Sequence, residues 1–166
     1  MAVVRTGERR FVLKALHEVG DQLLSEFYGF NEDKLIWRPA PEEFSLKETA
    51  AHLRDALELA LAQMTAIIEG AGGKLPHWDV DVLPAERDYQ GEDIYDLLRS
   101  CERLRRDVSY LFWGLDQGDW ERAGRHPYRG SVTLGEIAKE LAQHDLDHLW
   151  RVRKLKAALP GDRAAS

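Results

Sequence analysis

TLGEIAKELAQHDLDHLWRVRKLKAAL, residues 133–159, has the apolar spacing of one long amphipathic helix. Its apolar side chains recur at steps of three and four residues, which places them on one face of a helix. They are Leu134, Ile137, Leu141, Val152, Leu155 and Leu159. The capping box Thr133–Glu136 predicts where this helix begins.

Two histidines interrupt this apolar face. His144 and His148 are four residues apart and therefore about one turn (~5.4 Å) apart on the same side of the helix. Two imidazoles at this spacing can hold one metal ion. The alternative is that both are core histidines, hydrogen bonded to buried carboxylates such as Asp145 or Asp147.

A third histidine occurs inside a second amphipathic helix, predicted over Ser45 to Glu69 and opened by the capping box Ser45–Glu48. His52 lies beside its apolar face. The pattern therefore predicts a three-histidine site, His52, His144 and His148, between two packed helices.

Two further helices complete the fold, one from about Glu8 to Phe27 and one from about Asp93 to Leu115. The loop between the first two helices is short, so we expect those helices to be neighbours. About twenty glycine- and proline-containing residues separate the second and third helices, which indicates a long crossover. We predict an all-α four-helix bundle in a single domain, 1–166, with a frayed tail at 162–166 and room for a small hairpin in either long loop.

Composition excludes several classes of protein. The 166 residues are 44% hydrophobic and 31% charged, with a formal net charge of -6, which is typical of a globular protein and disfavours nucleic acid as a partner. There is no apolar run long enough for a membrane span and no signal-peptide pattern near the N-terminus. The single cysteine, Cys101, falls on an apolar helix face and is expected to be a buried hydrophobe in a cytoplasmic protein.

Imidazole ligands suit zinc, nickel, copper or iron. We expect zinc or nickel first, with iron or manganese as alternatives. Three protein ligands leave positions open for substrate. Affinity should fall below about pH 6.5, the free histidine pKa, because ligands must be deprotonated. Asp55, Asp145 and Asp147 are candidate acceptors for the other ring nitrogens, with solvent-facing helix charges as the alternative. Two other histidines have no second candidate ligand at a suitable spacing. We expect His17 to lie on the surface and His77 to lie at the mouth of the site.

The sequence resembles the DinB-like, YfiT-type metal-dependent proteins. The resemblance lies in Trp37-Arg-Pro-Ala-Pro-Glu-Glu-Phe-Ser-Leu-Lys-Glu-Thr-Ala-Ala-His52-Leu-Arg-Asp55, in Gly130-Ser-Val-Thr-Leu-Gly-Glu-Ile-Ala, and in His144-Asp-Leu-Asp-His148. It implies an up-down-down-up bundle, often a homodimer, that holds a divalent ion on His52, His144 and His148.

Several relatives in that family are thiol S-transferases acting with bacillithiol, mycothiol or glutathione. The resemblance therefore implies an enzyme that combines a low-molecular-weight thiol with an electrophilic substrate. A metal-dependent hydrolase is the neighbouring alternative. A non-catalytic stress-response protein, in which the ion ties two helices together, is the alternative from another class.

Overall fold

A computed structural model of the protein describes residues 6–70 and 72–161, and the tail expected at 162–166 lies outside these residues. The described chain is mostly helical. Its elements are α1 Thr6–Ser25, α2 Glu32–Ile36, α3 Leu46–Glu69, α4 Leu83–Glu86, α5 Ile94–Trp113, β1 Ala123–His126, β2 Gly130–Thr133 and α6 Leu134–Ala158, with 3-10 turns at Tyr89–Gly91 and Gly118–Glu121.

The four long helices match the predicted ones within two residues at each end. Both predicted capping boxes are present: Ser45 and Glu48 exchange side-chain and backbone hydrogen bonds at the start of α3, and Thr133 and Glu136 do the same at α6. These bonds satisfy amide groups that have no partner within the helix, which fixes the residue where each helix begins.

The helices pack around a continuous apolar core. α1 packs mainly on α6, and α3 packs on both α5 and α6. The expectation that the first two long helices are close neighbours is wrong, because α1 contacts α6 and α5 and makes little contact with α3. The segment between them contains α2, which packs against α3 and carries the chain across the bundle.

The long connection between α3 and α5 runs back along α3. Gln63, near the end of α3, donates to the Pro76 carbonyl (3.1 Å), and Ser45, at its start, donates to Gln90 (2.7 Å). The crossover therefore covers the same helix that carries His52.

A two-stranded antiparallel hairpin precedes α6, so one of the two loops with room for a hairpin contains one. The Leu75 amide donates to the Arg125 carbonyl (2.8 Å), which joins the start of the crossover to β1. Gly124 lies so close to Leu75 that a Cβ there would overlap its side chain. None of the helices in the described part of the chain is both long and apolar enough to cross a lipid bilayer.

Candidate metal centre

Three histidine side chains converge between α3 and α6. His52, about two turns into α3, faces His144 and His148 on α6, with ring centroids 5.6 and 5.1 Å away. The two α6 rings are 4.3 Å apart. One nitrogen from each of the three rings can be chosen so that all lie within 4.8 Å of one another. This is the grouping that the helical spacing predicts.

The cluster is largely removed from water. His52 and His148 are each 8% exposed, and His144 is half-buried. Burial lowers the pKa of all three imidazoles. For His148 the neighbouring rings of His144 and His52 add to burial and bring the pKa to about 3. The rings are therefore neutral at neutral pH, which is the form that binds metal.

Two of these rings have an unsatisfied nitrogen. Nδ1 of His52 and Nδ1 of His148 are buried and have no hydrogen-bond partner in the described part of the chain. A buried polar atom without a partner costs about 1–3 kcal/mol. Three neutral imidazoles that converge, with one nitrogen from each ring within 4.8 Å of the others, fit a divalent ion.

Asp55, expected beside His52 as an acceptor, has other partners. Its carboxylate is fully buried and accepts hydrogen bonds from Arg54 (3.2 Å), from Arg87 (2.8 Å) and from the Tyr89 hydroxyl. Two of these donors come from the crossover. Asp55 therefore anchors the crossover to α3, and acts on His52 only through its charge, which opposes the lowering of that pKa.

The two α6 carboxylates also bond elsewhere. Asp145 is 1% exposed and binds both terminal nitrogens of Arg105 on α5, at 2.6 and 2.9 Å. Asp147 is exposed and accepts from Gln143 (2.9 Å). Among the described residues, neither is hydrogen bonded to an imidazole. Their oxygens accept hydrogen bonds from Arg105 and Gln143 instead, so the expectation that Asp145 and Asp147 orient the rings is wrong. Both carboxylates act on His144 only through their charge, which raises its pKa.

Three residues around the cluster were not predicted from the sequence. The Phe44 ring lies 5.9 Å from that of His52. Asp81 of the crossover raises the pKa of His52 through its charge, and Arg151 of α6 lowers it. Arg151 could have been found, because it continues the spacing of His144 and His148. Asp81 carries no such signal, since the path of the crossover is set by tertiary contacts.

The remaining histidines lie outside the cluster. His77, expected at the mouth of the site, packs against the hairpin with its ring 4.7 Å from His126 and 5.6 Å from Tyr128. Nδ1 of His126 accepts a hydrogen bond from the Tyr128 amide (3.1 Å), so the His126 side chain is part of the hairpin turn. His17 is exposed on α1, as expected, 3.7 Å from Asp21.

Cys101 is fully buried on α5, with Sγ 3.8 Å from the Ala50 carbonyl of α3. Burial raises the pKa of its thiol to about 12. The interpretation of Cys101 as a packed hydrophobe is confirmed, so the only cysteine of the sequence is not available as a nucleophile.

Known proteins share this architecture. YfiT from Bacillus subtilis, described as a probable metal-dependent hydrolase with an unusual four-helix bundle topology, superposes with a TM-score of 0.84 over 95% of this chain and 90% of its own, at 14% sequence identity. A DinB-like protein from Bacillus subtilis, YjoA, superposes with a TM-score of 0.60 over 91% of this chain and 96% of its own, at 16% identity.

No curated protein matches the sequence. The family model of the DinB superfamily matches residues 15–152, which span α3, α5 and all three histidines. The chain belongs to the DinB superfamily.

Proposed function

We infer that the protein is a metal-dependent enzyme in which His52, His144 and His148 hold one divalent ion, with zinc or nickel as the first candidates. The observation that carries this is the convergence of three neutral imidazoles, two of them with buried nitrogens that have no hydrogen-bond partner among the described residues. The description of YfiT as a probable metal-dependent hydrolase supports the same class of chemistry.

The described residues supply no fourth ligand to the three-histidine group, so a coordination position would stay open for substrate. In the described part of the chain no cysteine or carboxylate joins the three-histidine group. Asp55 and Asp145, the nearest buried carboxylates in sequence, are bound to arginines. When bound at such a site, a divalent ion lowers the pKa of a thiol or water ligand and polarises a carbonyl.

The reaction that we propose is thiol S-transfer from a low-molecular-weight thiol to an electrophile. It is supported by the resemblance of the segments around His52, His144 and His148 to the DinB-like proteins, several of which are thiol transferases. It also agrees with the burial of Cys101, because the chain then offers no thiol of its own and the nucleophile must be a cosubstrate. The three histidines would hold the ion, and the ion would stabilise the thiol as its thiolate. Phe44, whose ring lies 5.9 Å from that of His52, is the aromatic side chain beside this cluster.

Hydrolysis is the second candidate, favoured by the fold shared with YfiT. The two reactions differ in their need for a thiol. A hydrolase cleaves an activated ester without one, whereas a transferase consumes thiol and electrophile together.

We also propose the up-down-down-up order of the long helices. Ion pairs join Glu8 to Lys139 and Glu26 to Lys156, linking start to start and end to end in α1 and α6. Contacts of Ser45 with Gln90 and of Ala50 with Cys101 support a parallel α3 and α5. A homodimer, common among the proteins that the sequence resembles, remains a proposal that sedimentation would test.

The test is elemental analysis of the purified protein and of His52→Ala, His144→Ala and His148→Ala, with the exposed His17→Ala as a matched control. We expect about one ion per chain in the parent and in the control, and loss of stoichiometric binding in each of the other three. Full occupancy in all three variants would contradict the site.

Activity assays then separate the reactions. A panel of electrophiles is supplied with and without a thiol, and thiol consumption and ester cleavage are both followed. Metal-dependent consumption of thiol supports the transferase, and thiol-independent cleavage supports the hydrolase. A protein that binds metal but does neither would be the non-catalytic alternative.

A further inference from the structure

Arg151 continues the histidine face of α6. It follows His144 by seven residues and His148 by three, which places all three residues on one side of the helix. It is exposed, whereas the ring of His148 beneath it is buried. Arg151 therefore lies on the histidine face of α6, about one helical turn from His148, and is open to solvent.

Arg151 differs from the nearby arginines in having no carboxylate partner among the described residues. Arg54, Arg105 and Arg153 each bind a carboxylate, at 2.7, 2.6 and 3.3 Å. Arg151 has no such ion pair or hydrogen bond within residues 6–70 and 72–161. Its position one turn after His148 on the same helix face places its charge beside the cluster. An arginine fork without a partner can bind a carboxylate through two parallel hydrogen bonds.

The surrounding charges restrict which anion it would take. Asp81 and Asp147 also act on the cluster, on His52 and His144 respectively, and both are exposed acids. The protein as a whole has a formal net charge of -6. Arg105 also acts on His144 but is bound to Asp145, so Arg151 is the exposed cation among these acids. This arrangement suits a monoanion such as a carboxylate, whereas a dianionic phosphate would be repelled more strongly.

We propose that Arg151 binds a carboxylate of the substrate, so that the three-histidine site prefers small molecules that carry a carboxylate close to the group that meets the metal. This specificity rests on the proposed function, because it assigns a substrate class to the same site. Arg151 acts here in substrate recognition, and the histidines alone would hold the ion.

The test compares two thiol probes of equal length on the cobalt-substituted protein. One, 3-mercaptopropionate, carries a carboxylate; the other, 3-mercaptopropan-1-ol, carries a hydroxyl in its place. Binding of each is followed by the thiolate-to-cobalt charge-transfer absorption. The proteins are the parent, Arg151→Gln, Arg151→Lys, and the control Lys154→Gln, which removes an exposed cation of α6 that lies off the histidine face.

We expect the parent to bind the carboxylate probe more tightly than the alcohol. Arg151→Gln should weaken the carboxylate probe about tenfold and leave the alcohol unchanged, because only the charged hydrogen bonds are lost. Arg151→Lys should recover part of the loss, since it keeps the charge without the fork. Lys154→Gln should change neither probe.

Three outcomes overturn the proposal. If cobalt binds and both thiols bind the parent equally, the site has no carboxylate preference. If Arg151→Gln weakens the binding of both thiols equally, or abolishes cobalt binding, Arg151 supports the structure of the site and does not bind the substrate carboxylate. If the parent binds no cobalt at all, the metal site itself is wrong and this inference falls with it; the first two outcomes leave the metal site standing.

Discussion

His52 and Asp55 lie three residues apart on α3, and both are buried, yet their surroundings differ. Asp55 is fully enclosed and has three donors, from Arg54, Arg87 and Tyr89. His52 is 8% exposed and its Nδ1 has no partner among the described residues. The hydrogen bonds of the Asp55 carboxylate are satisfied within the protein, whereas the His52 imidazole needs a ligand from outside the chain to satisfy its nitrogens.

This contrast separates structural polar groups from binding groups. A buried carboxylate that is fully bonded ties elements together, and here it ties the crossover to α3. A buried imidazole without an acceptor is costly, so it persists where a ligand offsets the cost. The same difference holds on α6 between Asp145, bound to Arg105, and its neighbour in the cluster, His148.

The largest effect that this comparison predicts is for Asp55→Ala. The change leaves the Tyr89 hydroxyl and the Arg54 guanidinium with fewer partners in a buried setting, and the free energy of unfolding should fall by about 3–5 kcal/mol. Urea titration of metal-free protein measures this. The folded fraction should still bind metal with the same stoichiometry.

Asp147→Ala is the control, because Asp147 is exposed and its loss should change stability by less than about 0.5 kcal/mol. An Asp55→Ala protein that remained as stable as the parent but lost its metal would show that Asp55 serves the histidines after all.

Tyr89→Phe tests one bond of the Asp55 group. Tyr89 is 2% exposed, and burial followed by the hydrogen bond to Asp55 raises the pKa of its hydroxyl. Removing a buried hydrogen bond to a charged acceptor should cost about 1.5–3 kcal/mol of unfolding free energy. Denaturant midpoints of the two proteins give the value, and an unchanged midpoint would mean that the arginines alone satisfy Asp55.

The helices and the grouping of the three histidines could be predicted because their signals are local. Capping boxes at Ser45 and Thr133 fix helix starts within four residues of sequence, and the spacing of His144 and His148 fixes their common face. The pairing with His52 followed from the need of two amphipathic faces to bury one another.

What could not be predicted depends on contacts distant in sequence. Arg87 and Tyr89 reach Asp55 from a crossover that has no periodic pattern, so the sequence assigned Asp55 to the nearest histidine instead. Arg105 reaches Asp145 from another helix for the same reason. α2, with five residues, is too short to show a hydrophobic period.

The pH dependence of the metal-free protein offers a smaller, graded test of the histidine cluster. The folded pKa of His52, His144 and His148 is lowered by burial, so the unfolded chain binds more protons once the pH is below the unfolded value of about 6.5. Stability is therefore full above about pH 6.5 and is lost as the pH falls toward the folded pKa, by at most about 1.4 kcal/mol per histidine per pH unit.

Unfolding free energies at about pH 7 and about pH 5.5 measure this slope. Adding the ion should raise stability at both pH values without reducing the slope, because bound metal keeps the folded rings unprotonated, and metal should stay bound somewhat below the pH of about 6.5 that free histidine suggests. His17→Gln is the control and should leave the slope unchanged. A slope unaffected by His148→Gln would mean that the pKa of His148 is the same in the folded and unfolded protein, and would contradict the effect of burial on that ring.

Cys101 gives the smallest expected signal, since its predicted behaviour in the native protein is near-absence of reaction. The thiol is fully buried against the Ala50 carbonyl of α3, and burial raises its pKa to about 12. Labelling by a thiol reagent at neutral pH therefore requires α3 and α5 to separate, so the labelling rate reports the population of opened molecules. We expect labelling to be slow in the parent, fast in denaturant, and accelerated in Asp55→Ala, whose crossover has lost its anchor to α3. His17→Ala should label at the parent rate. Labelling of the native parent as fast as that of the denatured chain would show that Cys101 is accessible, and would reopen it as a nucleophile beside the metal site.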